Sequence, residues 1–359
     1  VAIGNSATAT LTLDGTIYET TSTQTYSAAS GGFNIVVNPG NNTAVEFATA
    51  NANVEFDSSG VSLWGDTTHT IDTGTGGGTV VFDGAIQSGD DNDDDILVVK
   101  SGTGNVTFTG AIGASKELGG LKVNDGSATG TASEGDADIT FSAAIGSGGA
   151  GVKGDTLIGN ATTTSVNFGG ALYSFDGTNN TITSVSGDNI NVAVTAEFET
   201  AADAITFAGG NIDLANGANL TVNSDGGVIT IAGISGDSSE TVTINANDTV
   251  GAGTTNEKVV LGNVGDSSHA QINTVTVTGN DGITLQGAIY TDGTAAAGTV
   301  TFNDPVIIDG AVIIDTDDSS TDGNITFTTS IEGKGDGGTE TLTIEGGTGA
   351  DSITGGAGN

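Results

Sequence analysis

Apolar residues alternate with threonine, asparagine or aspartate in short runs along almost the whole chain, and the runs stop at glycine, asparagine or aspartate. One unit recurs: GTVVFDGAI (78–86), GNVTFTGAI (104–112), ADITFSAAI (137–145), TSVNFGGAL (164–172), DAITFAGGN (203–211), DGITLQGAI (281–289), GTVTFNDPV (298–306) and GNITFTTSI (323–331). Its large apolar position falls at Phe82, Phe108, Phe141, Phe168, Phe207, Leu285, Phe302 and Phe327, several of them about 25 residues apart. Period-two alternation puts such side chains on one face of a strand, and the β-branched residues between them suit a pleated backbone. A single inward-facing aromatic per repeat is therefore expected, with these rings stacked from copy to copy.

Between the copies lie second strands of the same texture, among them DILVVKSG (95–102), GLKVNDG (120–126), NLTVNSDGG (219–227), TVTINAND (241–248), TVTVTGNDG (274–282) and TLTIEGG (341–347). Helical periodicity is nearly absent; only VTAEFETAADA (194–204) offers a short helical turn. Short strands repeating every 25 residues or so predict an all-β parallel β-helix, each coil stacked on the last. A tandem β-sandwich array is the alternative, against which stand the brevity of the strands and the lack of a longer superperiod. At ~4.8 Å per coil, some fourteen coils would make a body of roughly 65 to 70 Å.

Composition narrows the function. The 359 residues carry 44 Asp plus Glu against 6 basic residues, all lysine, for a formal charge of -38. Such a chain repels phosphate backbones and anionic lipid, so neither nucleic acid nor a membrane surface is an expected partner, whereas divalent cations are. Cysteine is absent, which removes disulfides, thiol nucleophiles and sulfur-ligated zinc. No stretch reaches the ~18 apolar residues of a membrane span. Methionine is also absent, and the chain opens on VAIGNSATATLTLDG, as expected of a processed or excerpted part of a longer product.

The texture of TFTGAIG and LGGLKVNDG within 107–126, echoed from 78 to 331, resembles the repeats of large secreted bacterial surface proteins, such as filamentous-haemagglutinin-like adhesins, autotransporter passengers and surface-layer proteins. The closing GGTGADSIT (346–354) is similar to the RTX nonapeptide G-G-x-G-x-D-x-U-x, in which U is apolar. This second resemblance implies a glycine-rich turn holding calcium between coils, with Asp351 as a ligand and Ile353 in the core. The domains are then a solenoid over 1–345 and the start of a calcium-binding β-roll over 346–359. A second copy begins at Gly355 and stops at Asn359, before its aspartate.

Two acidic runs are further calcium candidates. GDDNDDDI (89–96) gathers Asp90, Asp91, Asp93, Asp94 and Asp95 ahead of an apolar strand, and IIDTDDSSTDGN (313–324) spaces Asp315, Asp317 and Asp322 before Gly323. Hard carboxylate oxygens in a flexible turn suit Ca²⁺, and a solvated loop is the other reading of each run. The second run lacks the terminal glutamate and flanking helices of an EF-hand.

His69 and His269 sit in polar contexts, DTTHTID and DSSHAQI, and are expected at the surface. Trp64 is either a sugar-stacking ring or a partly buried rim aromatic. Lyase chemistry needs a base and cations to neutralise a uronate, against which stand the absence of arginine and only six scattered lysines, and G-x-S-x-G is missing. These features together predict an extracellular, non-enzymatic structural protein. It would be a β-helical segment of a filament, surface layer or adhesin stalk, stabilised by calcium and joined head to tail to itself or to flanking parts of a larger chain. A carbohydrate-binding or carbohydrate-hydrolysing β-helix, with surface glycans as partners, is the alternative. It gains if Trp64, Tyr173 and Tyr290 share one exposed face.

Overall fold

The structure is a computed structural model and describes residues 1–57, 60–90, 95–126, 136–147, 151–247, 257–266, 272–291, 298–318, 321–335, 339–345 and 352–355, with 317–318, 321–322 and 352–355 described as backbone. Among these residues every regular element is a strand. They build parallel stacked coils, a β-solenoid of about 12 turns spaced roughly 25 residues apart. The chain divides into two compact units, Val1–Ile190 and Asn191–Asn359.

In the first unit each coil runs over three faces. The first face stacks Ala2–Gly4, Gln24–Ser27, Val54–Asp57, Val80–Phe82, Val106–Phe108, Asp138–Phe141 and Ser165–Phe168 in parallel register. The second stacks Leu11–Leu13, Ile35–Val37, Val61–Leu63 and Ile86–Ser88, then continues through single bridges at Ile112, Ile145 and Tyr173. The third stacks Ile17–Thr20, Val45–Thr49, Thr68–Asp72, Ile96–Lys100, Gly120–Val123 and Thr156–Ile158, and Thr156–Ile158 pairs with residues 180–182.

Alternation sends every second side chain inward, and the parallel register puts like on like. Phe56, Phe82, Phe108, Phe141 and Phe168 form one column, with ring centroids 4.7, 5.4, 4.9 and 5.5 Å apart and planes within 5° to 11° of parallel. Coil spacing fixes that distance, because strands 4.7 to 4.9 Å apart bring ring above ring at stacking separation. Each ring is about 1% exposed, a burial that contributes about 1.5 to 3 kcal/mol per side chain.

The second unit has the same construction with a different use of the motif. One face stacks Ala196–Thr200, Leu220–Asn223, Thr241–Asn245, Thr274–Thr278, Thr299–Phe302, Asn324–Phe327 and Ser352–Gly355. A second carries Ile205–Leu214, Ile229–Ser235, Lys258–Val264 and, beyond them, shorter pieces such as Gly282–Leu285 and Ile289–Tyr290. Ile205–Leu214 shifts register between Phe207 and Ile212, where the strand turns a corner.

All eight recurring large apolar residues are buried, at 2% exposure or less. They do not form one column, however. Phe207 aligns with Ile231, Leu261 and Leu285, whereas Phe302 and Phe327 stack at 5.1 Å on the other face, above Val277. Alternation specifies inside or outside; which face a strand joins depends on the corners before it. The short helical turn expected in 194–204 is instead the strand Ala196–Thr200, whose Ala196, Phe198 and Thr200 point inward.

Corners are closed by buried hydroxyls. Thr49 and Thr200 end strands, Ser101 and Ser224 directly follow them, and all four donate to the carbonyl three residues on, at Ala52, Asp203, Gly104 and Gly227. Each of these hydroxyls ties the strand end to the carbonyl of the turn that follows it.

Candidate functional site

A buried polar cluster of the first unit lies where the acidic run enters the solenoid. Asp90 is half-buried, while Asp91, Asp93 and Asp94 lie outside the described residues. Asp95 leaves the run and turns fully inward, just ahead of Ile96–Lys100. Its Oδ1 stands 3.1 Å from His69 Nε2, and its Oδ2 accepts from Ser88 Oγ at 2.8 Å. His69 is thereby a core residue, 1% exposed, contrary to its expected surface position. It occupies an inward position of Thr68–Asp72, in register with Val45 below and Leu97 above. An ionised carboxylate only accepts, so His69 presents Nε2–H to it, leaving Nδ1 without a partner among the described residues.

Ser, Asp and His side by side suggest a nucleophile, but the connectivity is wrong for one. Serine and imidazole both face the same carboxylate, and no imidazole nitrogen contacts the Ser88 hydroxyl, so the three are not wired as a Ser–His–Asp relay. What the cluster does is hold a corner. Beside it Trp64, half-buried, lies on Gly89 so closely that a Cβ there would come within 2.1 Å of the indole. Lys116 Nζ donates to Gly89 O at 2.8 Å and stands 5.9 Å from the Trp64 ring centroid.

A comparable corner in the second unit rests on Glu240, fully buried between Ile229–Ser235 and Thr241–Asn245. Its Oε1 accepts from Gly217 N at 2.8 Å and Ser239 Oγ at 2.6 Å, and its Oε2 from Asp237 N at 2.8 Å and Ser239 N at 3.0 Å. Burial alone pushes this carboxyl up, but the Ser239 hydroxyl and the three N–H donors together outweigh it and hold the group below its ordinary value. Ser238, at φ 70°, takes the left-handed conformation that lets the turn aim its amides inward.

The calcium candidates are only partly brought together. Asp315 ends Ala311–Asp315 and sits in register between Tyr290 and Glu345 on neighbouring coils. Asp317 and Asp322 are Cα partners in a small antiparallel pair just beyond it. Asp351 lies outside the described residues, as does His269; Ser352–Gly355 continues the parallel ladder, with Ile353 opposite Ile325. Among the described residues no three His, Asp or Glu side chains converge closely enough to hold a metal ion.

The three aromatics of the glycan alternative do not share an exposed face. Tyr173 is fully buried, and its hydroxyl accepts from Gly170 N at 2.6 Å. Trp64 and Tyr290 are half-buried and belong to different units. No family model, curated protein or solved structure matches this chain.

Asp95, His69 and Glu240 as corner anchors were not foreseen from sequence. For Glu240 a signal exists in SGDSSE (235–240), where serines precede a lone glutamate that opens an alternating run. For Asp95 the run of identical neighbours hides which aspartate turns in.

Proposed function

We propose that this chain is an extracellular structural protein, a β-solenoid scaffold of a bacterial filament, surface layer or adhesin stalk that works without catalysis. The observation that carries the reading is the interior of each unit. Ring and aliphatic columns fill it from coil to coil, and the buried polar clusters at Asp95 and Glu240 are spent on corners. Outward positions support it too. In the second unit Thr221, Thr243, Thr276, Thr301 and Thr326 align across successive coils. Asn303 Nδ2 donates to Thr278 Oγ1 at 3.0 Å, and Asn245 Nδ2 to Asn223 Oδ1 at 3.4 Å. Such ladders make a regular polar surface suited to lateral or axial repetition.

Calcium is proposed as a structural ion on the strength of the charge of -38 and of the place where Asp315, Glu345, Asp317 and Asp322 lie near one another along the chain and across the coils. Adjacent like charges on paired strands are unfavourable unless a cation screens them. In assembly, the ladder edge at Ala2–Gly4, Leu11–Leu13 and Ile17–Thr20, where Val1 and Ile17 are each 64% exposed, would be completed by coils of the same kind. A second copy joined head to tail supplies them, or flanking coils of a longer chain. Deleting residues 1–14 tests the first arrangement. A folded protein that no longer polymerises with calcium at neutral pH supports it, and undiminished polymerisation sinks it.

A further inference from the structure

The corner that Glu240 organises also holds the one Asn–Gly step in the sequence, Asn216–Gly217. Asn216 is exposed, and Gly217 follows at φ 77° with open space where a Cβ would stand. Glycine after asparagine lets the next backbone nitrogen approach the side-chain amide carbon unobstructed. That attack requires the nitrogen to lose its proton. Here the Gly217 N–H points at Glu240 Oε1, 2.8 Å away, with Ser239 Oγ at 3.1 Å. Ser239 Oγ is 2.6 Å from Glu240 Oε1 and 3.3 Å from Asn216 Oδ1, so its single proton goes to the carboxylate by the shorter contact. An amidate formed at Gly217 would face a buried carboxylate at hydrogen-bond distance, and like charges that close repel strongly away from water.

We propose that Asn216–Gly217 is a latent self-modification site that converts to aspartate and isoaspartate when this corner opens and is held unreacted while Glu240 keeps the Gly217 N–H. In the reaction the Gly217 nitrogen bonds to Asn216 Cγ and gives its proton to hydroxide or another solvent base. The Cγ–Nδ2 bond then breaks, and the departing nitrogen takes up a proton and leaves as ammonia. The resulting succinimide adds water at one of its two carbonyls. One product is aspartate; the other carries the main chain through the former side chain. No oxidant or reductant is involved.

The change is self-reinforcing. An imide nitrogen bears no hydrogen, so Glu240 loses a donor as soon as the ring closes. Hydrolysis then places a new carboxylate at position 216, beside Ser239 and Glu240. The Glu240 carbonyl accepts from Asn273 N and Thr274 N of the following coil at 3.0 and 3.2 Å, so loosening at Gly217 reaches three successive coils.

Ageing the whole chain at mildly alkaline pH, folded and in urea, with peptide mapping by mass spectrometry, tests this. In urea Asn216 should convert ahead of every other asparagine. In the folded chain its conversion should be slower by at least about tenfold, the equivalent of one pKa unit on the Gly217 amide. Glu240→Gln, shown to be folded by circular dichroism, should recover most of that rate, while Ser239→Ala, which removes one donor to Glu240 but keeps the carboxylate beside Gly217, should recover less of it. The proposal is overturned if another asparagine leads in urea, if folding gives Asn216 no protection, or if folded Glu240→Gln converts no faster than wild type. Should Glu240→Gln fail to fold, the folded-to-urea ratios of wild type and Ser239→Ala decide the matter.

Discussion

Phe108 sits between Phe82 and Phe141, 5.4 and 4.9 Å away, and so touches the coil below and the coil above with the two faces of one ring. Removing it empties a slot that rigid neighbours cannot refill, so Phe108→Ala should cost about 3 to 5 kcal/mol in urea unfolding. Phe108→Asp adds an unpaired buried charge and should cost more; near-wild-type stability of both variants would refute the column. Glu240 gives a second prediction at this scale. Its folded carboxyl lies below the ordinary 4.5, so its contribution is fully present above that value and is lost as pH falls through the depressed folded one. Acid unfolding of wild type should therefore be steeper in that range than that of Glu240→Gln, and superimposable slopes would argue against the four-donor cradle. The ring positions were legible in the sequence because a large apolar residue recurs at the end of each alternating run. Glu240, Asp95 and His69 were not, because a charged or polar residue in a glycine-rich context reads as surface unless the partner that comes from a neighbouring coil, Gly217 for Glu240 and the other member of the pair for His69 and Asp95, is known.

At the scale of the element, the coil is a set of short strands whose direction changes depend on a few buried polar side chains. Asp95 is the strongest case in the first unit, since one carboxylate answers both His69 and Ser88. Asp95→Ala would leave both without their acceptor in the core, and a loss of about 1 to 3 kcal/mol is expected for each polar group so orphaned. A loss below about 1 kcal/mol, the scale of an exposed pair, would mean that the corner repacks at little cost. Strand positions and parallel stacking followed from alternation and repeat length. The assignment of strands to faces did not: GTVTFNDPV and GNITFTTSI share their motif with DAITFAGGN, yet Phe302 and Phe327 stack on a different face of their unit from Phe207. The corners between faces are held by hydroxyls such as Thr200 and Ser224 that look like any other polar turn residue.

For the whole molecule, charge is the dominant unbalanced quantity. A formal charge of -38 opposes compaction at neutral pH, and a divalent ion that binds the folded chain alone would stabilise it by about 2.7 kcal/mol at a hundred times its dissociation constant. Chelation should lower the melting temperature, and Asp315→Asn should reduce the calcium dependence; a melting temperature indifferent to chelator and millimolar calcium would remove the ion from the account. The central claim, that the chain works by assembling, is tested most directly by negative-stain electron microscopy of the native material at neutral pH, with calcium and then with chelator. Ordered filaments or a lattice that disperse on chelation are predicted. Single particles at every calcium level and protein concentration would contradict it.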